Sequence, residues 1–240
     1  MRGSRQAGTG ATMTCVTPSI RVFLLSPAHC GGQRAQLLFR QEARFDLARR
    51  LRSRDGATLG EAFSFMSGLY FRGKLAYARA FARTAASLSG VLAITPCQGL
   101  RSPDVRVDLP LLRRYGRVGI DPADLRYRQP LLRDARALAA ALEDHERADV
   151  VLLGSVASAK YVEPLLEVFG ERLIFPAEFA GRGDMSRGGL LLRCVDEGRE
   201  LHYVPLLTAS RHGPRPARLV PAQGILARTQ HWLQPGARPT

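Results

Sequence analysis

Side chains that can bind an anion are concentrated in short polar stretches that follow apolar runs of the sequence. Arginine and lysine bind phosphate and carboxylate groups, while serine donates a hydrogen bond and tyrosine can stack on a base. The candidate ligand-binding residues are Arg72, Lys74, Ser158, Lys160, Tyr161, Arg182, Ser186 and Arg187. Two carboxylates, Asp104 and Asp184, are the candidate catalytic groups. Each can act as a general base or stabilise a developing positive charge.

The densest group lies between residues 149 and 194. An apolar run, 150–153, stops at Gly154-Ser155, and a helical pattern follows it. A strand that ends at a helix start leaves free backbone N–H groups, which form a natural anion site. Arg182 and Arg187 lie in a glycine-rich loop further along the chain. The pattern therefore predicts a phosphate-binding cleft built from this strand end and this loop.

Each candidate also has a simpler structural interpretation. Ser158 fits a helix cap, Tyr161 fits a helix–sheet interface, and Asp184 can pair with a neighbouring arginine. Asp104 follows Pro103 and fits a turn. Arg72 and Lys74 lie near the start of a helix predicted after Gly73, where a cation opposes the helix dipole. That placement hints at an anionic ligand, although exposed basic residues are also common there.

The net charge favours a polyanionic partner. The chain has 35 basic and 21 acidic residues, a formal charge of +14, and only Lys74 and Lys160 are lysines. A GC-rich genome explains why arginine is used in place of lysine, but it does not explain why basic residues outnumber acidic ones. Nucleic acid or a nucleotide is therefore the expected partner.

The four cysteines show no zinc-ligand or disulfide pattern, so neither a metal nor a cofactor is predicted. With no apolar segment long enough for a bilayer, we expect a cytoplasmic protein without a membrane partner.

Alternating apolar runs and helical patterns predict an α/β fold with a mixed, mainly parallel sheet flanked by helices. The predicted strands are 20–25, 91–95, 150–153, 173–175, 190–192 and 200–206, and helices are predicted over 37–51, after Gly73, after Ser155 and over 131–142. Residues 20–207 are expected to form one domain. Residues 1–19 read as a disordered leader, and the Pro/Gly/Arg-rich residues 208–240 as a disordered basic tail. No dinucleotide-binding or P-loop motif is present.

Four short segments, in order, resemble the YaaA peroxide-stress family. They are LLSPAHC (24–30), TPCQGLRSPD (95–104), VVLLGSVASAKYVEPL (150–165) and GRGDMSRGGLLL (181–192). His29 stands where that family usually has lysine, and Lys160 where it has an acid. The resemblance implies an α/β fold, a cytoplasmic location, DNA binding and a role in limiting oxidative damage.

Because each segment follows or precedes a predicted strand, we expect the four to converge on one cleft. The sequence thus predicts a nucleic-acid- or nucleotide-binding protein of the peroxide-stress type. The alternative is an enzyme that acts on a nucleotide, a base or an N-glycosidic bond. An accessory protein with an interaction role is a third interpretation.

Overall fold

The computed structural model describes residues 20–145, 147–157 and 159–209. The predicted leader, nearly all of the predicted tail and Ser158 lie outside the described residues. The strands are β1 (Ile20–Leu25), β2 (Ala57–Thr58), β3 (Val91–Thr95), β4 (Gly99–Arg101), β5 (Arg106–Val107), β6 (Ala148–Leu153), β7 (Leu173–Pro176) and β8 (Tyr203–Pro205). The helices are α1 (Gln33–Phe39), α2 (Asp46–Arg50), α3 (Leu59–Ser67), α4 (Leu69–Phe81), α5 (Leu109–Gly116), α6 (Leu125–Ala141), α7 (Ala159–Phe169) and α8 (Asp184–Asp196). Short 3-10 turns span Gly170–Arg172 and Ala177–Phe179.

Six strands form the main sheet in the order β4-β3-β1-β6-β7-β8. The four central strands are parallel, and each edge strand runs antiparallel to its neighbour. The parallel centre follows from composition, because β1 and β6 are almost entirely apolar and are buried on both faces. β2 and β5 form a separate two-stranded antiparallel sheet. The α/β fold with a mixed, mainly parallel sheet is confirmed.

The chain changes direction across the sheet between β1 and β6. From β1 it crosses to β3 on one side, then returns past β1 to β6 and continues to β7. β1 and β6 pair along their whole length, from Ile20 opposite Ala148 to Leu25 opposite Leu153. Connections that leave two neighbouring strands in opposite directions open a crevice at their carboxyl ends, where such sheets bind ligands.

Helices cover both faces of the sheet. α4 packs against β1 and α8, whereas α6 packs against α7. The β1–β3 connection and the β3–β6 connection run across the sheet in opposite directions. Because crossovers between parallel strands are right-handed, the helices of these two connections lie on opposite faces of the sheet. In the part of the chain that the structure describes, no helix has the length and apolar character to cross a membrane.

The crossing of α4 and α8 depends on a pair of glycines. A Cβ atom on Gly73 would lie 2.6 Å from the Gly188 carbonyl oxygen, and one on Gly188 would lie 2.8 Å from the Leu69 carbonyl oxygen. Both contacts are with backbone, which cannot move aside as a flexible side chain can. Only glycine therefore permits the two helices to approach this closely.

Gly188→Ala should destabilise the fold by about 2 kcal/mol, because overpacking outweighs the better helix propensity of alanine. Gly119→Ala is the matched control, since a Cβ atom there would meet nothing within 4 Å. Urea denaturation of both variants measures the effect. Equal midpoints for Gly188→Ala and the wild type would contradict the packing account.

Four local predictions were wrong. Residues 190–192 were predicted as a strand but lie in α8, where Leu190, Leu191 and Leu192 are all buried. A short apolar run cannot be distinguished from a helix buried on several sides. α4 begins at Leu69 rather than after Gly73. Residues 37–51 contain the end of α1 and all of α2 instead of one helix, and residues 99–101, predicted as a loop, form β4.

Candidate functional site

Lys74 lies at the centre of the candidate site. It belongs to the second turn of α4, and its side chain is almost fully buried. Its ammonium nitrogen Nζ donates hydrogen bonds to the Ser26 carbonyl oxygen at 2.7 Å and to Ser26 Oγ at 2.8 Å. Ser26 is the first residue after β1, so these bonds place Lys74 at the carboxyl end of the central strand.

The second wall of the site is the end of β6. The Ser26 amide donates to the Leu153 carbonyl oxygen at 3.1 Å, which joins the two strand ends. Gly154 follows, and a Cβ atom there would lie 3.0 Å from Ser26 Cβ and 3.3 Å from Ser26 Oγ. The glycine therefore lets the backbone after β6 pass close to the serine hydroxyl. Lys74 and Ser26 are thus buried at the carboxyl ends of β1 and β6, where the direction of the chain changes.

Two aromatic rings line the buried amine. Lys74 Nζ lies 4.4 Å from the centroid of the Tyr70 ring and 5.0 Å from that of Phe71. Aromatic faces attract a cation, and the attraction grows when water is excluded. They only partly replace the water that a lysine loses on burial.

Arg187 brings a second cation to the same place. It lies in the first turn of α8, is 6% exposed, and donates to the Phe179 carbonyl oxygen at 3.0 Å. Asp184, one turn earlier, lies 3.5 Å from the Arg187 guanidinium, but its own side chain is largely exposed. The site therefore contains two buried basic side chains and one exposed carboxylate.

The pKa values of the ionisable groups show how closely the site is packed. Burial lowers the pKa of Lys74 to about 7; Asp184 opposes that change and Arg187 adds to it. Burial also raises the pKa of Tyr161 to about 12, with Asp184 contributing in the same direction. The pKa of Tyr70 is raised mainly by burial, and it too responds to Arg187 and Asp184. Five side chains from α4, α7 and α8 thus share one electrostatic environment.

The remaining predicted residues on α7 and around α8 are exposed or half-buried. Lys160, in the first turn of α7, is exposed, and its carbonyl oxygen accepts a hydrogen bond from the Tyr127 hydroxyl at 2.9 Å. Arg182 is half-buried and donates to the Glu178 carbonyl oxygen at 2.9 Å and to Ser186 Oγ at 3.2 Å. The Arg182 contacts hold the loop before α8 in place. The Lys160 side chain faces solvent.

Two predicted residues are not brought to Lys74. Asp104 pairs with Arg79, nearer the carboxyl end of α4. Its loop follows β4, which runs antiparallel to β3 and carries the chain back toward the amino ends of the parallel strands. Arg72 lies two residues before Lys74, which places it on the opposite side of α4.

The predicted anion site at Gly154-Ser155 also differs from the structure. α7 begins at Ala159, so four residues separate Gly154 from the helix. Residues 154–157 therefore lie outside the helix, and Gly154 contributes a close approach to Ser26 rather than a helix start.

Tyr70 and the glycine pair were not predicted as parts of the site. Gly73 and Gly188 position Lys74 and Arg187, because each glycine directly adjoins one of these residues in the sequence. A glycine within a helical pattern often marks close packing, and that was the available signal.

The arrangement can do two kinds of chemistry. A lysine with a pKa near 7 is divided between ammonium and amine at neutral pH, so it can bind a phosphate or accept a proton. Among the described residues, no group of three or more His, Cys, Asp or Glu side chains is placed to hold a metal ion.

Comparison with known proteins finds no match. No protein-family model, no curated protein and no solved structure is significantly similar to this chain.

Proposed function

We propose that the protein binds a nucleotide or a nucleic-acid strand through phosphate at the carboxyl edge of its sheet. Lys74 and Arg187 are the anion-binding cations, and Ser26 is a neighbouring hydrogen-bond donor. The protein would carry out this binding in a response to oxidative damage, as the resemblance to the peroxide-stress motifs implies.

One observation carries the proposal: Lys74 and Arg187 are both buried and interact electrostatically, and in the described part of the chain no buried carboxylate pairs with either of them. Within the described residues, Lys74 has hydrogen bonds to Ser26 alone, and the one acid near Arg187 is exposed. Burying a charge without a counter-charge costs several kcal/mol. A phosphate bound between the two side chains would offset that cost, since it supplies both the opposite charge and acceptor oxygens.

Backbone N–H groups at the starts of two helices can also bind phosphate at this site. The amino ends of α4 and α8 both lie at this edge of the sheet, and neither Gly68 nor Gly183 caps its helix with a side chain. Free N–H groups at a helix start attract anions. The formal charge of +14 adds long-range attraction for a polyanion.

The direct test is a binding series with a labelled single-stranded oligonucleotide between about 50 and about 200 mM salt, where phosphate contacts make the affinity fall steeply. We expect the logarithm of the binding constant to fall linearly with that of the salt concentration. Absence of binding at the lowest salt concentration would remove the proposal.

The second candidate function is an enzyme that acts on a nucleotide, a base or an N-glycosidic bond. The observation that favours it is the 2.8 Å hydrogen bond between Lys74 Nζ and Ser26 Oγ, in a lysine whose pKa is near 7. The neutral amine can accept a proton from a nucleophile, and Asp184 is the carboxylate nearest to it in the cleft. A panel of nucleosides and nucleotides followed by mass spectrometry tests this function. Unchanged substrates throughout would exclude it, and binding without turnover would leave the first proposal in place.

A further inference from the structure

A second basic groove lies on the other side of α4 from Lys74. It is open, has a volume of about 390 Å³, and lies where α1, α3 and the start of α4 meet. Its lining residues are Arg34, Leu37, Ser64, Phe65, Gly68 and Arg72. None of these residues is acidic. We call it the Arg34–Arg72 groove.

Two polar groups in the Arg34–Arg72 groove lack partners. Ser64 is 9% exposed, and its Oγ atom makes no hydrogen bond to any described residue. The buried Nε of Arg72 is also without a hydrogen-bond partner there. Buried polar atoms in folded proteins are nearly always hydrogen-bonded, so two unsatisfied donors in one groove indicate a missing acceptor.

The charges of the groove are not neutralised by the protein. Neither Arg34 nor Arg72 forms an ion pair with a described residue. Arg34 donates a long hydrogen bond, 3.4 Å, to the Phe65 carbonyl oxygen, and otherwise faces the groove. Two guanidinium groups beside an unsatisfied hydroxyl suit a phosphate, whose oxygens accept several hydrogen bonds at once.

The walls of the groove suit a planar apolar group beside that phosphate. Leu37 is 40% exposed there, and Phe65 stacks on Phe45 with ring centroids 5.3 Å apart and an interplanar angle of 18°. Stacking against Phe45 holds the Phe65 ring in one orientation. A base is the planar group that accompanies phosphate in the ligand class proposed above.

The start of α4 connects the groove to the Lys74 cleft. Gly68 has no side chain to cap the helix, and the first turn contains no acid. This turn therefore lies between Arg72 on one side and Lys74 on the other. Basic residues beside a helix amino end oppose the dipole, and an anion across that end would relieve the repulsion.

We propose that the Arg34–Arg72 groove binds a second phosphate-bearing nucleotide unit of the same strand that enters the Lys74 cleft. The phosphate contacts Arg34, Arg72 and Ser64, and the base lies against Phe65. The strand crosses the start of α4 between the two sites. This inference rests on the proposed function and makes the ligand an oligonucleotide rather than a mononucleotide.

The test compares thymidine 5′-monophosphate with a thymidine tetranucleotide, using calorimetry on the full chain. The wild type should bind the tetranucleotide at least about tenfold more tightly, because even one of the added charge-assisted contacts provides a gain of that size. Arg72→Gln and Arg34→Gln should each remove about that tenfold gain while leaving mononucleotide binding within about twofold. Ser64→Ala should give a smaller loss of the same kind.

Arg199→Gln is the matched control, because it removes the same charge from an exposed residue beyond the carboxyl end of α8 that does not line the groove. It should leave both affinities unchanged. If Arg72→Gln fails to fold, as judged by its thermal melting curve, the exposed Arg34 still provides the test.

The outcomes separate this inference from the proposed function. Equal wild-type affinities for the two ligands would overturn the inference and leave the Lys74 cleft standing. Arginine variants that weaken both ligands equally would also overturn it. If neither ligand binds, the proposed function fails and the inference fails with it.

Discussion

Replacing Lys74 with methionine should weaken oligonucleotide and mononucleotide binding about a hundredfold, the range expected when a buried charge-assisted contact is lost. Methionine has nearly the same length and shape as the lysine stem, so it fills the space between Tyr70 and Phe71 without the charge. Arg187 alone would then face the phosphate. Calorimetric titration of the purified variant measures the loss.

The chain provides an unusually clean control for this experiment. Lys160 is its only other lysine, and it lies exposed in the first turn of α7. Lys160→Met removes the same charge and should change affinity by no more than about threefold, as an exposed ion contact does. Equal losses in the two variants would mean that binding depends on net charge rather than on the buried amine.

The stability of the wild type should rise as pH increases from about 7 to about 10. The pKa of Lys74 is near 7 in the folded protein and 10.5 in its ordinary state. Between those values the unfolded chain binds the additional proton, so raising the pH favours the folded state. Below pH 7 the full cost of burying the ammonium is present, about 5 kcal/mol from the difference in pKa.

Lys74→Met lacks this titration. It should therefore be more stable relative to the wild type at pH 6.5 than at pH 10, and the difference between their unfolding free energies should shrink by about 4 kcal/mol across that range. Comparing the two proteins at each pH cancels the titration of groups that do not interact with Lys74. Parallel stability curves would show that Lys74 stays protonated in the folded protein, contrary to the account.

The parallel core of the fold was predictable because its strands are short apolar runs bounded by turn residues. β1 and β3 match their predicted ranges, and β6, β7 and β8 lie within two or three residues of theirs. Local sequence carries this information, since a strand buried on both faces must be apolar at nearly every position.

The interior of the site was not predictable, because it depends on how two distant helices cross. Lys74 and Arg187 are 113 positions apart in the numbering, and the close approach at Gly73 and Gly188 is what brings them together. The predicted helix start after Gly73 placed Lys74 on the surface, whereas α4 in fact begins one turn earlier and buries it. The sequence pattern named Lys74 as a candidate but missed its burial, and burial is what lowers its pKa.

For Asp104, the sequence pattern predicted the wrong position. Its neighbours Gly99 and Pro103 suggested a loop at the carboxyl edge, but a tight turn after Thr95 reverses the chain into β4. Thr95 Oγ1 stabilises this turn, accepting from the Gln98 amide at 3.0 Å and donating to the Gly99 carbonyl oxygen at 2.9 Å. Three residues of antiparallel strand were enough to carry Asp104 away from the cleft.

The most direct test of the central claim is a nuclear magnetic resonance titration of the lysine side chains. Isotope-labelled lysine gives two side-chain signals, and Lys160→Arg assigns them. In the free protein the Lys74 signal should titrate near pH 7. Saturating thymidine tetranucleotide should shift this signal and raise the pKa of Lys74, since a bound phosphate favours the ammonium form. A Lys74 signal and pKa that stay unchanged while the ligand is bound would show that phosphate binds elsewhere on the protein.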